Sequence, residues 1–267
     1  MTKLELLIEE LCPNGVEYKK LGDIATISRG GNFQKRDFCE NGVPCIHYGQ
    51  IYTRYGLFAE KPLTFLNEEA AAKQKYAVKN DIIMAVTSEN IEDVCKCVVW
   101  LGEENIAVSG HTAIIHHNQN PKYLCYYFHT TMFFDQKKKL AHGTKVIEVT
   151  PDKLADIKIP VPPLEVQGEL VKILDEYSAS VTALQQELES ELTARKKQYE
   201  YYRDLLLNFD VHGGGNMNID GKRSENCLKS KMVLTRKKVH LVKESRLSIL
   251  QMFTRIGGLL KGLFRGL

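Results

Sequence analysis

"DIKIPVPPLEVQGELVKIL", residues 156–174, changes character twice within a short span. It begins as alternating apolar residues, breaks at Pro160, Pro162 and Pro163, and resumes as an acidic run with helical spacing. Proline lacks a backbone donor, so it can neither extend a central strand ladder nor sit inside a helix. The three prolines therefore predict that a sheet ends near residue 161 and that a helix follows. Pro163 suits the first residue of that helix or the one just before it.

Downstream, residues 164–209 contain no proline, and no glycine after Gly168. Leu170, Leu174, Tyr177, Val181, Leu184 and Leu188 are spaced by alternating steps of four and three, the heptad seam that keeps one stripe facing a partner helix. The seam turns polar at Glu191, Arg195 and Gln198 and resumes at Tyr202, Leu205 and Phe209. At ~1.5 Å per residue such a helix spans roughly 70 Å, longer than a small domain is wide. A stripe this narrow cannot bury itself alone. Residues 162–209 are expected to form a coiled-coil helix that leaves the sheet and pairs with another helix. A plain core helix of the first domain is the alternative.

Upstream, residues 1–161 read as a mixed α/β domain. "MTKLELLIEELCPNG" is a short amphipathic helix closed by Pro13 and Gly15. "VEYKKLGDIATISRGG" ends on a glycine pair. "NDIIMAVTS", "CKCVVWLG" and "NIAVSGHTAIIHH" are β-branched and bounded by turn residues, which predicts strands. "NEEAAAKQKY" and "PKYLCYYFHTTMFFDQKKKL" have helical spacing, and "KVIEVTPDKLADIKIPVP" predicts a strand, a short turn or helix from Pro151, and a last strand.

The net charge of +3 is unevenly distributed. Residues 1–161 hold 19 Lys+Arg against 20 Asp+Glu, residues 162–209 hold 5 against 9, and residues 210–267 hold 12 against 4. A nucleic-acid role for the first domain must rest on local patches. Residues 210–267 open with the Gly- and Asn-rich "DVHGGGNMNIDGKRSENC" and close with "SRLSILQMFTRIGGLLKGLFRGL", a cationic amphipathic stretch broken by glycines. This tail is expected to be a poorly ordered linker and remnant, with nonspecific DNA or membrane-surface affinity as the alternative. The chain has seven cysteines, an odd number without framework spacing, which fits reduced thiols in the cytoplasm. Neither a secretory signal nor an apolar run long enough to span a bilayer is read from the sequence.

No catalytic set is legible. The chain lacks a phosphate-cradling Gly-rich loop, a G-x-S-x-G elbow and the Asn/Asp-Pro-Pro-Tyr/Phe tetrapeptide of adenine methyltransferases. Cys95 and Cys97 have no second pair at zinc spacing, so they are expected to be a packed pair on one face of a strand, and no metal site is expected. His116 and His117 are expected at the surface. What the domain does offer is a polar and aromatic cluster on loops. "GGNFQKRDFCENGVPCIHYGQIYTRYG" mixes amides, bases and tyrosines among glycines, and "TSEN", "SGHT" and "AHGTKVIEV" add short polar groups at strand ends. Gln, Asn, Arg and Lys pair with base edges, and Arg, Lys, Ser and Thr also hold phosphates. A solvated loop with a few buried tyrosines would look the same.

At this point the motifs combine. "IPVPPLEVQGELVKILDEYSASVTALQQELESELTARKKQYEYYRDLLLNF" resembles the helical region of type I restriction–modification specificity subunits. "VEYKKLGDIATISRGGNF" resembles the start of that family's target recognition domain, and "GVPCIHYGQIYTRYG" and "HGTKVIEVTPDKLADIKIPVPPLE" resemble its interior and end. The resemblance implies a non-catalytic DNA reader that directs adenine-N6 methyltransferase and endonuclease subunits to a bipartite target. The family carries two recognition domains and two antiparallel helices, so a chain with one of each resembles a half-subunit that pairs with a second copy. S-adenosylmethionine, ATP and Mg would then belong to the partner subunits, and this chain would carry no cofactor. The expected DNA-contacting residues are Gln34, Lys35, Tyr48, Gln50, Tyr52, Arg54, Ser88, Glu89, His111, Thr144 and Lys145. The competing expectation is a coiled-coil scaffold or interaction protein without sequence specificity.

Overall fold

A computed structural model describes residues 2–207. They fall into two units, one ending at Asp175 and one beginning at Glu176. The chain runs through α1 (Lys3–Leu11), β1 (Tyr18–Lys20), α2 (Leu21–Ile24), β2 (Ala25–Arg29), a 3-10 turn (Lys35–Asp37), β3 (Phe38–Cys39), β4 (Val43–Ile46), α3 (Tyr48–Thr53), β5 (Phe58–Ala59), β6 (Thr64–Leu66), α4 (Glu68–Ala71) and β7 (Lys75–Ala77). It continues as β8 (Ile82–Ala85), β9 (Thr87–Ser88), β10 (Cys97–Trp100), β11 (Ile106–Val108), β12 (Thr112–His117), α5 (Pro121–Tyr127), α6 (Thr131–Leu140), β13 (Ile147–Glu148), α7 (Pro151–Ala155), β14 (Lys158–Pro160) and α8 (Leu164–Leu207).

Two five-stranded sheets dominate the first unit, in the orders β2-β12-β8-β10-β5 and β3-β6-β4-β11-β7. Each contains one parallel pair, β5 with β10 and β4 with β11, among antiparallel neighbours. The central strands are apolar on both faces, because each face meets a different layer. Ile82 and Met84 of β8, Cys97 and Val99 of β10, and Ala113 and Ile115 of β12 enter a core shared with α5, α6 and α7. Their alternates, Ile83, Ala85, Val98, Trp100 and Ile114, enter a second core with Ile46 of β4, Ile51 of α3 and Ile106 and Val108 of β11. The uninterrupted apolar runs in the sequence follow from this double burial.

Several local expectations are corrected. "NEEAAAKQKY" yields only the four-residue α4, which Asn67 caps by accepting from Ala70 N–H at 2.8 Å. The chain then extends into β7, because the β7–β11 ladder buries Ala77, and that pairing overrides the helical propensity of the alanine run. The run 121–140 is two helices, since Thr130 starts a new one by accepting from Phe133 N–H. Cys95 lies outside β10 with φ 66°, although it shares a core with Cys97. The polar region after Gly30 is not all loop, because Tyr48, Gln50 and Tyr52 ride on α3. His116 is exposed as expected, but His117 is half-buried and its Nε2 is shielded without a partner.

The proline junction is where the first unit holds the start of α8. β14 pairs with β1 and ends at Pro160, and α8 begins at Leu164, directly after Pro163. Gln167 is fully buried there. Its amide nitrogen donates to Pro162 O at 2.7 Å and to Gln119 Oε1 at 2.9 Å, and its Oε1 accepts from Asn120 N–H at 3.0 Å. Asp175 accepts from Tyr126 at 2.7 Å and pairs with Lys122 at 2.6 Å, both on α5. Val166 packs with Leu4 and Cys12, and Leu170 reaches two apolar clusters.

The expected mixed α/β domain followed by a long helix is thus the observed architecture. In the second unit the described chain is the remainder of α8. Of the expected seam, Leu170, Leu174, Tyr177 and Leu184 are half-buried, whereas Val181, Leu188, Tyr202 and Leu205 are exposed. Phe209 and the 210–267 tail lie outside the described residues.

Replacing Gln167 by Leu leaves the Asn120 N–H without its buried acceptor. A loss of about 1–3 kcal/mol in urea unfolding is expected. An unchanged midpoint would show that the amide does not hold the helix start.

Candidate nucleic-acid interface

The candidate site forms where the chain crosses between the two sheets. β11 ends at Val108 in one sheet and β12 begins at Thr112 in the other. "SRGG" passes close to this crossover. Gly30 N–H donates to Thr112 O at 3.0 Å and Gly31 N–H donates to Val108 O at 2.7 Å. A Cβ on Gly30 would sit 2.2 Å from Ser109 O, so the close approach admits only glycine.

Above this floor opens a cavity of about 550 Å³, with Asn32, Gln34, Lys35, Tyr48 and His111 among the residues around it. α3 is set on its wall by two contacts. Tyr48 N–H donates to the buried Ser109 Oγ at 2.9 Å. His47 caps the helix, its Nδ1 accepting from Gly49 N–H at 3.2 Å, while Gln50 Oε1 accepts from His47 N–H at 3.0 Å. The His47 and Tyr48 rings lie 4.4 Å apart between centroids, and Tyr48 lies 4.9 Å from His111. Thr87 joins the next layer. Its carbonyl accepts from Tyr52 OH at 2.7 Å and its hydroxyl lies 3.2 Å from His111 Nδ1.

A hairpin completes the rim. His142 and Glu148 exchange backbone hydrogen bonds, and Gly143 adopts φ 106° at its turn. β13 pairs with β9 so that Ile147 faces Ser88. Arg29, which lines the cavity, ties the rim together by donating to Gly110 O at 2.9 Å and to Glu148 Oε1 at 2.7 Å.

Burial lowers the affinity of His47 for a proton, and the neighbouring Lys35 and His111 act in the same direction. Burial also pushes the Tyr52 phenol well above its ordinary value. The cavity wall therefore presents a neutral imidazole at neutral pH, and the phenol in the layer behind it stays un-ionised. The arrangement suits hydrogen bonding and stacking.

Residues 13–194 match the type I restriction modification DNA specificity domain. The chain belongs to that family. A Haemophilus influenzae protein named as a type I restriction enzyme specificity subunit is 42% identical over 198 residues, covering 71% of this chain and 47% of the relative. The EcoR124I/EcoR124II specificity subunit of Escherichia coli is 29% identical over 199 residues, covering 73% and 48%. The chain spans about half the length of the curated relatives it matches. Among solved structures, one described as the basis of assembly and conformational transition of the type I R-M system superposes with a TM-score of 0.53 at 22% identity, covering 74% of this chain and 49% of that one. That likeness is one of fold.

Within this specificity domain the expected contact residues separate into groups. Gln34, Lys35, Tyr48 and His111 line the cavity. Tyr52 and Ser88 stand one layer behind it, through Thr87 and β13. Gln50 is turned into the fold, its amide engaged by His47 and Thr64. Arg54, Glu89, Thr144 and Lys145 are exposed on turns and are not among the cavity's lining residues. Arg29 and His47 are additions to the expected set. The glycine pair after Arg29 is a signal that could have marked a close backbone approach, but nothing in the local sequence reveals what it approaches.

Titrated by NMR, the His47 imidazole is expected to protonate below the ordinary value of ~6.5. The unfolded chain then takes up this proton before the folded one, so His47 favours the folded state above that pH and opposes it as pH falls. A midpoint at or above the ordinary value would contradict its described surroundings.

Proposed function

We propose that this chain is the non-catalytic, sequence-reading subunit of a type I restriction–modification complex. The match of residues 13–194 to the DNA specificity domain carries this reading, because it spans both the α/β unit and most of the long helix. In this reading residues 1–161 are the target recognition domain, 162–209 the spacer helix and 210–267 a basic tail. Amide, imidazole and guanidinium groups around the cavity supply base readout, and exposed Arg54, Thr144 and Lys145 hold backbone phosphate. The near-neutral domain leaves much of the phosphate contact to its partners. Those partners are adenine-N6 methyltransferase and endonuclease subunits, which bring S-adenosylmethionine, ATP and Mg.

The exposed row of Val181, Leu188, Tyr202 and Leu205 supports pairing through α8. A second copy supplies the same row, and a two-fold dimer closes the assembly. Such a dimer reads an inverted-repeat target, one half per recognition domain.

Co-expression with the methyltransferase of the same system, followed by genome-wide mapping of N6-methyladenine, tests the reading. A two-part symmetric motif is expected, whereas methylation without sequence preference would reject it. Within that assay, Gln34→Ala should relax preference at one position by ~1–3 kcal/mol, and Lys35→Ala should weaken all sites alike and lower the salt slope by about one. Gln50→Ala should instead act through stability, by removing half of the α3 cap.

Pairing through the helix is tested separately. The double variant Val181→Glu, Leu188→Glu should sediment as a monomer at concentrations where the parent is a dimer, with the melting of the α/β unit unchanged. Equal self-association of the two proteins would rule the seam out as the interface.

A further inference from the structure

Behind the central sheet, on the face away from the crossover cavity, two thiols and an imidazole converge. Cys97 belongs to β10, Cys125 to α5, and His129 to the turn between α5 and α6. Their ligand atoms all lie within 4.8 Å of one another. The two sulfurs are 3.9 Å apart. Tetrahedral zinc with Zn–S bonds of ~2.3 Å holds two sulfurs at about 3.8 Å, so the pair already has the spacing of ligands to one ion. Cys125 and His129 are four residues apart, which places them on one side of a helical turn. His129 Nδ1 also lies 2.8 Å from the Cys125 carbonyl, a contact that orients the ring.

Burial and charge favour the same cation. Both cysteines are buried, and His129 is exposed, which gives an ion a route in from solvent. A divalent ion held by two thiolates and a neutral imidazole forms an uncharged unit, the condition under which charge can sit in an apolar core. A monovalent ion on the same ligands would leave a buried negative charge. Three protein donors leave one position of a tetrahedron, and the Leu57 carbonyl oxygen stands 3.5 Å from Cys125 Sγ.

We propose that Cys97, Cys125 and His129 form a structural site for a soft divalent cation, zinc by its charge and ligand set, which pins α5 to the central sheet. α5 is also the helix whose Lys122 and Tyr126 hold Asp175 of α8, so the site braces the element that receives the long helix. Binding releases the two thiol protons, and affinity rises with pH.

The full chain, reduced and treated with chelator, is titrated anaerobically with Co²⁺ alone. A sulfur-to-cobalt charge-transfer band should saturate at one equivalent and be bleached by Zn²⁺, and Zn²⁺ should raise the melting temperature. His129→Gln, at the exposed edge, should leave metal-free melting unchanged and weaken zinc binding by at least about tenfold. Cys125→Ser should abolish the band, with the chain's other cysteines serving as the internal control. Absence of the band in the parent overturns the proposal, as does a band of equal strength and affinity in both variants.

Discussion

The fully buried amide of Gln167 is the contact on which the organisation of the chain turns. A buried amide must have its donors and acceptor met, or it costs more than an apolar side chain in the same place. Here the partners come from two segments: Pro162 from the junction, and Gln119 and Asn120 from the loop between β12 and α5. One side chain thereby locks the first turn of α8 to the end of the sheet and to the helical layer. The Asp175 carboxylate repeats the device two turns later, held by Lys122 and Tyr126. The prolines stop the strand, and these polar contacts specify where the helix starts. Under the proposed pairing of two copies through α8, the position of that start would set the separation of the two recognition domains.

The second constraint is the double burial of β8, β10 and β12. Because both faces of this sheet are apolar, one face takes the helices and the other takes the second sheet. The chain must then cross between sheets repeatedly, and one such crossing is at Ser109–His111. A crossover leaves backbone groups that no ladder satisfies. The "SRGG" segment meets them by passing within backbone hydrogen-bond distance, and Ser109 adds an acceptor for α3. The candidate interface is built on that solution. Its floor is backbone, and its walls carry side chains from three separate segments.

Side chains of similar appearance play opposite parts around this cavity. Gln34 and Lys35 are exposed at its edge, whereas Gln50, on the adjoining helix, completes a cap. Tyr48 presents its ring between His47 and His111, and Tyr52 turns its hydroxyl inward to Thr87. Residue type alone therefore does not separate cavity-lining side chains from scaffold. The same holds for the cysteines, since Cys97 gains its closest sulfur neighbour from Cys125, 28 residues away.

The features legible in the sequence are those with a local period or a local prohibition. Prolines marked the end of β14 and the start of α8, a heptad spacing marked the long helix, and β-branched runs marked β8, β10, β11 and β12. These are properties of neighbours along the chain, and the backbone must obey them whatever surrounds it. Tertiary structure decided the rest. Pairing with β11 shortened the alanine-rich helix to α4 and drew β7 out of it. Sheet crossover placed Gln34, Lys35, Tyr48 and His111 around one cavity and turned Gln50 away from it. Packing of α5 on β10 brought Cys97, Cys125 and His129 together. Apart from the local His47–Gln50 cap, these outcomes depend on contacts between segments far apart in sequence, and no window of neighbouring residues contains the partners that determine them.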